Sequence, residues 1–222
     1  MSRTRLSPEA RREQLLDLGV RMLATRSLEE LSIDALAEEA GISRGLLYHY
    51  FRTKADFHEA VVERAAADVV RLTAPPEDPD PLLRLLSSVR AYVDYVESNQ
   101  AGYTSLVQRA AGGNDRLREI YETTRAALTD RIFEAASPED LAALGLVDDA
   151  ATRLMVHGWG ALVEDVVLAW VREPAGVAKE ELIALVTNAL VGLLPREGQH
   201  EAGTAVRSRP RASDDGSSEE VR

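Results

Sequence analysis

Between Ser43 and Lys54 the chain gathers side chains suited to gripping a polyanion. Arg44, Tyr48, His49 and Tyr50 fall in one short helical stretch, Lys54 follows just before the next, and no Asp or Glu occurs between residues 40 and 55. A guanidinium can address the edge of guanine, while phenol, imidazole and ammonium donors reach phosphate oxygens. Covalent or metal chemistry is harder to assemble. The chain has no Cys, so disulfides, thiolate metal sites and thiol nucleophiles are excluded. His49, His58, His157 and His200 are scattered without metal-ligand spacing, and no Gly-rich phosphate loop appears. Paired acids such as Glu164 and Asp165 are adjacent in sequence and point apart on a helix. The residues therefore argue against an enzyme, and no cofactor or metal is expected.

The net charge of -11 over 222 residues weighs against a nucleic-acid partner only until it is divided. Residues 1–73 carry 11 basic against 12 acidic side chains, whereas residues 74–195 carry 10 against 19. The acid burden sits in the middle of the chain. The window with Arg44, Arg52 and Lys54 is locally cationic, and local charge decides whether a surface displaces counterions from phosphates. Lack of Cys fits a reducing cytosol, and no charged-then-apolar leader or run of 18 apolar residues is seen. A soluble cytoplasmic protein with no membrane partner is the expectation.

The elements that must position these residues are helices throughout, because apolar residues recur at helical spacing and no stretch alternates with period two. Ser7, Pro8 and Glu9 announce a first helix reaching about Thr25. A second follows Ser32 and ends at Gly41, a third runs from Ser43 to about Phe51, and a fourth from about Ala55 to Thr73. After the break at Pro75, Pro76, Pro79 and Pro81, helices are predicted at 81–98, 101–111, 114–136, 138–144, 147–172 and 177–194. The fold class is all-α, with a three-helix helix-turn-helix domain at residues 1–54 and a helical-bundle ligand-binding and dimerisation domain at 55–195. A tail at 196–222, rich in Gly, Ser, Arg and Asp, is read as disordered.

The segment from Ile33 to Tyr50 meets the needs of a helix-turn-helix. Ala37 lets two backbones approach, Gly41 can take the left-handed conformation that reverses the chain, and Ser43 can cap the next helix. Leu36, Ala40, Ile42 and Leu47 are placed to pack the pair together. The same features build a helical hairpin with no DNA partner. The exposed face with Arg44, Tyr48, His49 and Tyr50 favours the DNA reading.

This segment resembles the DNA-binding domain of the TetR/AcrR family of bacterial regulators, over about residues 9–69, with Gly41, Ser43, Gly45, Leu47, Tyr48, Phe51 and Lys54 in register. The resemblance implies base contacts from Arg44, Gly45 and Leu46, phosphate contacts from Tyr48, His49, Tyr50 and Lys54, and caps from Ser32 and Ser43. Two positions depart from the pattern. Leu46 replaces a common Thr or Ser and suits a thymine methyl, and Ser27 stands where Gly often ends the first helix. Arg3 and Arg5 could form a minor-groove arm, whereas Arg11 and Arg12 share their helix with Glu9 and Glu13 and read as solvated.

In the second domain, helix 177–194 is apolar over most of its circumference, and helix 147–172 carries a broad apolar stripe beside Gly158, Gly160 and Ala161. A helix apolar on all sides needs two covers, one of them plausibly a second copy of the chain. The expected homodimer interface comprises Trp159, Leu162, Val166, Leu182, Leu185, Val186 and Leu190. The resemblance points the same way, since that family pairs its last two helices. Tyr92, Tyr95, Tyr103, Arg109, Tyr121, Arg125 and His157 are candidates for a small-molecule pocket, with Glu164 able to join them, although each Tyr also serves as a core filler. Inward-facing Arg109 and Arg125 would suit an anionic or acyl-carboxylate ligand. The functional expectation is a ligand-responsive regulator, a repressor that leaves double-stranded operator DNA when an effector binds. The competing expectation is a helical dimeric interaction module or small enzyme without DNA binding.

Overall fold

The computed structural model describes residues 7–193; Arg3, Arg5 and the tail 196–222 lie outside the described residues. The described residues form ten helices and no strand: α1 (Pro8–Leu23), α2 (Ile33–Ala40), α3 (Arg44–Tyr50), α4 (Lys54–Leu72), α5 (Pro81–Ser98), α6 (Gln100–Ala111), α7 (Asp115–Glu134), α8 (Pro138–Ala143), α9 (Ala150–Arg172) and α10 (Lys179–Leu193). The chain is all-α, as its periodicity requires.

Most helices start where a short polar side chain can satisfy free amides. Ser7 accepts from Ala10 N, Ser32 from Ala35 N, Ser43 from Leu46 N and Thr53 from Asp56 N. Ser137 and Asp140 form a reciprocal capping box ahead of α8. Two starts differ from expectation. Helix α9 begins at Ala150 rather than 147, because Asp149 caps it by accepting from Thr152 N. Helix α10 begins two residues later than its pattern suggests. Ala175 and Gly176, with φ of 49° and 82°, wind left-handed and close a turn from Val177 N to Pro174 O.

Two hydrophobic cores result. The first gathers Leu15, Leu16, Leu28, Leu31, Leu36, Leu47, Phe51 and Phe57 from α1–α4, together with Leu117 and Ile120 of α7. The second joins Val69, Val89, Val93 and Val96 to Val156, Trp159, Val163 and Val167 of α9 and to Leu182, Val186 and Leu190 of α10. Helix α4 belongs to both. Phe57, Val61 and Val62 anchor its first half in one core, and Val69 its second half in the other. Arg64 reinforces the first attachment, its guanidinium paired with Glu13 and Asp17 of α1 at 2.5 and 2.6 Å. Helix α9 is long and apolar enough, by length and composition, to cross a membrane. It buries Val156, Trp159, Val163 and Val167 against its own protein instead, and carries Glu164 and Asp165 mid-way.

A left-handed alanine costs about 1 kcal/mol that glycine does not. Ala175→Gly is therefore expected to raise the melting temperature by about 2–4 °C in a calorimetric scan.

Candidate nucleic-acid interface and interior cavity

The turn between α2 and α3 is built by backbone need. Gly41 adopts φ 63° and ψ 36°, a conformation that a side chain would strain, and its N–H closes the end of α2. Leu36 and Leu47 are fully buried and Ala37 nearly so, which seats α3 across α2 with one face spent on packing. The other face is open. Arg44, Gly45, Leu46, Tyr48, His49, Arg52 and Lys54 are all exposed, Tyr48 to 47%. A Cβ on Gly45 would meet nothing within 4 Å, so no contact inside the protein demands glycine there. Tyr50 differs from its neighbours: it is half-buried against the first core and meets His49 edge-to-face at 5.4 Å between centroids. Two exposed cations are held by the protein itself. Arg44 Nε lies 2.5 Å from Asp34 Oδ1 of α2, and Lys54 Nζ donates to the Glu29 carbonyl at 3.2 Å. Arg12, expected to be solvated, sits with its guanidinium 5.4 Å above the Phe51 ring.

The connection from α1 to α2 ties this face to the second domain. Ser27 and Glu30 cap each other's backbone, which shapes the loop where glycine was expected by resemblance. Leu28 and Leu31 go into the core, and Glu29 turns to α6. There it takes a hydrogen bond from Ser105 Oγ at 3.0 Å and an ion pair from Arg109 Nε at 2.5 Å. Ser105 Oγ in turn accepts from Leu28 N. The Arg109 guanidinium is the main cause that holds the Glu29 carboxyl down at about 2. One turn earlier, Gly102 lets α6 touch the end of α1: a Cβ there would stand 2.5 Å from Leu23 O. His58 is buried beside this joint, with Nε2 2.6 Å from Leu31 O, and burial pushes its pKa down. The role of Ser105, Glu29 and Gly102 was not anticipated. Small residues at 102 and 105 with Arg109 four further on are a close-packing face that helical spacing could have revealed.

Between α1, α4, α5, α6, α7 and α9 lies a cavity of about 150 Å³ open to water-sized molecules, with a mostly apolar lining. Tyr92, Tyr95, Tyr103, Tyr121 and Arg125 line it, as does Glu164. Arg109 does not, because it is drawn out to Glu29; it borders a separate hollow with Lys54 and His58. His157 is also outside the cavity lining. It is exposed on α9 and reaches Arg125 Nη2 at 3.1 Å. The cavity grips α4 directly: Tyr95 Oη donates to Ala65 O at 3.1 Å and Arg131 Nη1 to Val70 O at 3.1 Å. Burial raises the Tyr95 hydroxyl to about 12, so it stays a donor.

Residues 15–61 match the family described as bacterial regulatory proteins, tetR family, and residues 81–193 match the tetracyclin repressor-like C-terminal domain. The chain belongs to the TetR family. Among its relatives is the HTH-type transcriptional activator FasR of Mycolicibacterium smegmatis, 25% identical over 181 residues, 81% of this chain and 80% of that protein. The HTH-type transcriptional regulator EthR of the same organism is 25% identical over 205 residues, covering 86% and 91%. A TetR-family transcriptional regulator from Streptomyces coelicolor shares the fold with a TM-score of 0.73 and 29% identity, covering 85% of this chain and 82% of that one. These three proteins are described as transcriptional regulators.

In this TetR-family chain the outer surface of α9 and α10 corrects the sequence expectation for a second copy. Leu182, Val186 and Leu190 are buried in their own protomer, and Trp159 is pinned there by donating Nε1–H to Val186 O at 2.7 Å. Val166 is half-buried against the same core. The reason is that α10 packs on α5 and α9 at once, so its apolar girth is used internally. Only Leu162 and Leu185 of the expected set stay open, at 38% and 57% exposure, joined by Met155 and Leu154.

Glu29 contributes stability above the ordinary carboxylate value of 4.5, a contribution lost as pH falls through about 2. Glu29→Gln is therefore expected to be less stable than the parent from pH 5 to 7 and to converge with it toward pH 2, measured by denaturant titration at each pH.

Proposed function

We propose that this chain is a ligand-responsive transcriptional regulator that binds double-stranded operator DNA as a homodimer in the cytoplasm, and a repressor released when a small molecule fills the cavity. The observation that carries the reading is the open surface of α3 and the first residue of α4, which presents Arg44, Leu46, Tyr48, His49 and Lys54 together, with Asp34 of α2 paired to Arg44. Arg44 and Leu46 read base edges, and Tyr48, His49 and Lys54 hold phosphates. Tyr50, being half-buried, contributes through a smaller exposed part. Ser32 and Ser43 act through the helix starts they cap.

Two copies meet through the exposed apolar side chains Leu154, Met155 and Leu162 of α9 and Leu185 of α10, which water disfavours. Such pairing places two α3 helices on successive major grooves of one duplex face. Occupation of the cavity shifts the population between two spacings of those helices. Helix α4 carries the change, because Tyr95 and Arg131 hold its backbone from the cavity side. Description of one relative as an activator leaves the sign of regulation to the promoter geometry, and the binding steps are the same for both signs.

Duplexes selected from a random pool by the purified protein are expected to bind in the nanomolar range and to weaken steeply with salt. Arg44→Ala is expected to relax preference at one base position at a loss of about 1–3 kcal/mol; Lys54→Ala is expected to weaken all sequences alike and lower the salt slope by about one. Parental binding by both variants would exclude α3 as the reading helix. Leu185→Glu is expected to sediment as a monomer and to lose DNA affinity, whereas a persistent dimer would move the interface elsewhere.

A further inference from the structure

The polar atoms around the cavity do not balance among themselves. Glu164, only 6% exposed, lines the wall; Tyr121 donates to its Oε2 at 2.8 Å, while its Oε1 is buried with no hydrogen-bond partner among the described residues. Arg125 commits Nη1 to Tyr121 Oη at 3.4 Å and Nη2 to His157 Nε2 at 3.1 Å, and its Nε is likewise buried without a partner. The hydroxyls of Tyr92 and Tyr103 bond each other at 2.9 Å. Such a pair uses one phenolic proton and leaves the other without an acceptor among the described residues. One acceptor and two donors are thus left over, contributed by α5, α6, α7 and α9 to one wall. A buried polar atom without a partner is costly, more so when charged, and a matching ligand recovers that cost.

Charge and size narrow the match. Burial raises the Glu164 carboxyl pKa on balance, opposed by the Tyr121 hydroxyl and the Arg125 charge, and Arg125 belongs to the same cavity lining. An anionic head would meet Glu164 and a cationic one Arg125, each also losing hydration in an apolar enclosure. With Arg109 outside, the pair of arginines that favoured an anionic ligand on sequence is not assembled. A cavity of about 150 Å³ is the size that takes a benzene-sized molecule, so about six heavy atoms set the scale of the buried part of a ligand.

Resting on the reading of this cavity as the effector's site, we infer that the effector is an uncharged apolar chain of about six heavy atoms whose polar end both donates and accepts a hydrogen bond. A terminal hydroxyl or primary carboxamide has that character. Its donor satisfies Glu164 Oε1, and its oxygen takes Arg125 Nε or the spare phenolic proton. An ester accepts only and leaves Glu164 unsatisfied.

The test compares pentan-1-ol, pentanamide, methyl butanoate, pentanoate and pentylamine on the purified full chain, by melting temperature and by tryptophan fluorescence, to which Trp159 on the cavity wall contributes. The alcohol and amide are expected to bind at least about tenfold more tightly than the other three, the ratio of a hydrogen bond to a charged group. Glu164→Leu is expected to erase that preference by weakening alcohol and amide to the level of the ester. Glu164→Gln, isosteric and uncharged, checks that the variants remain folded and is expected to retain part of the preference. Tightest binding of pentanoate or pentylamine would overturn the inference, as would an undiminished alcohol preference in Glu164→Leu. No binding by any of the five would overturn both the inference and the effector reading of the cavity, while operator binding is scored separately on selected duplexes.

Discussion

Everything in this protein turns on one helix that is buried by two different cores. Helix α4 spans 19 residues, about 28 Å at 1.5 Å per residue. Phe57, Val61 and Val62 lock its start among α1–α3, and Val69 locks its end beneath α5 and α9. It contains neither Pro nor Gly between Lys54 and Leu72, so it has no weak point at which to bend. A displacement at one end cannot be absorbed within the rod. Helix α6 supplies a second strut, meeting the end of α1 at Gly102, where backbone touches backbone with no side chain to cushion the contact.

The two working surfaces obey opposite solvation rules. The α3 face is exposed and its donors open to solvent, with Asp34 of the preceding helix paired to Arg44. The cavity is lined mostly by apolar side chains, and its few polar atoms acquire discriminating power because each unsatisfied one is expensive in such surroundings. A chain that is strongly acidic overall can hold both, since screening confines the acid burden of the second domain to its own neighbourhood.

The helices were legible because their starts are written in single residues. Ser7, Ser32, Ser43 and Pro81 cap or open helices where polar-apolar periodicity begins, and Gly41 is the one residue able to make the turn before α3. Solvent exposure of Tyr48, His49 and Lys54 was legible too, because Leu36, Ala37 and Leu47 account for the packing of the motif. What periodicity could not supply was the choice among competing neighbours. Arg109 shares a helix with the cavity tyrosine Tyr103, yet Glu29 lies 80 residues away in sequence and takes its charge. His157 lies on α9 with Trp159 but on its exposed side. Leu182, Val186 and Leu190 form an apolar surface that fits a partner or a core equally well on a helical wheel, and only the position of α5 decides for the core. Asp149 and Ala175 moved two helix starts by local turns that a hydrophobic pattern does not register.

The pairing of Arg44 with Asp34 bears on how such a face treats the bulk of a chromosome. In the free protein the guanidinium is already engaged by a carboxylate of the preceding helix, with both side chains more than half exposed. A random duplex offers it only phosphate, which must compete with a partner already in place and tethered next door. A guanine edge in register offers two acceptors at once and wins the exchange more readily. On the reading proposed above, Asp34 acts as an internal competitor whose displacement costs the same on every duplex, and a guanine edge with two acceptors offsets that cost best.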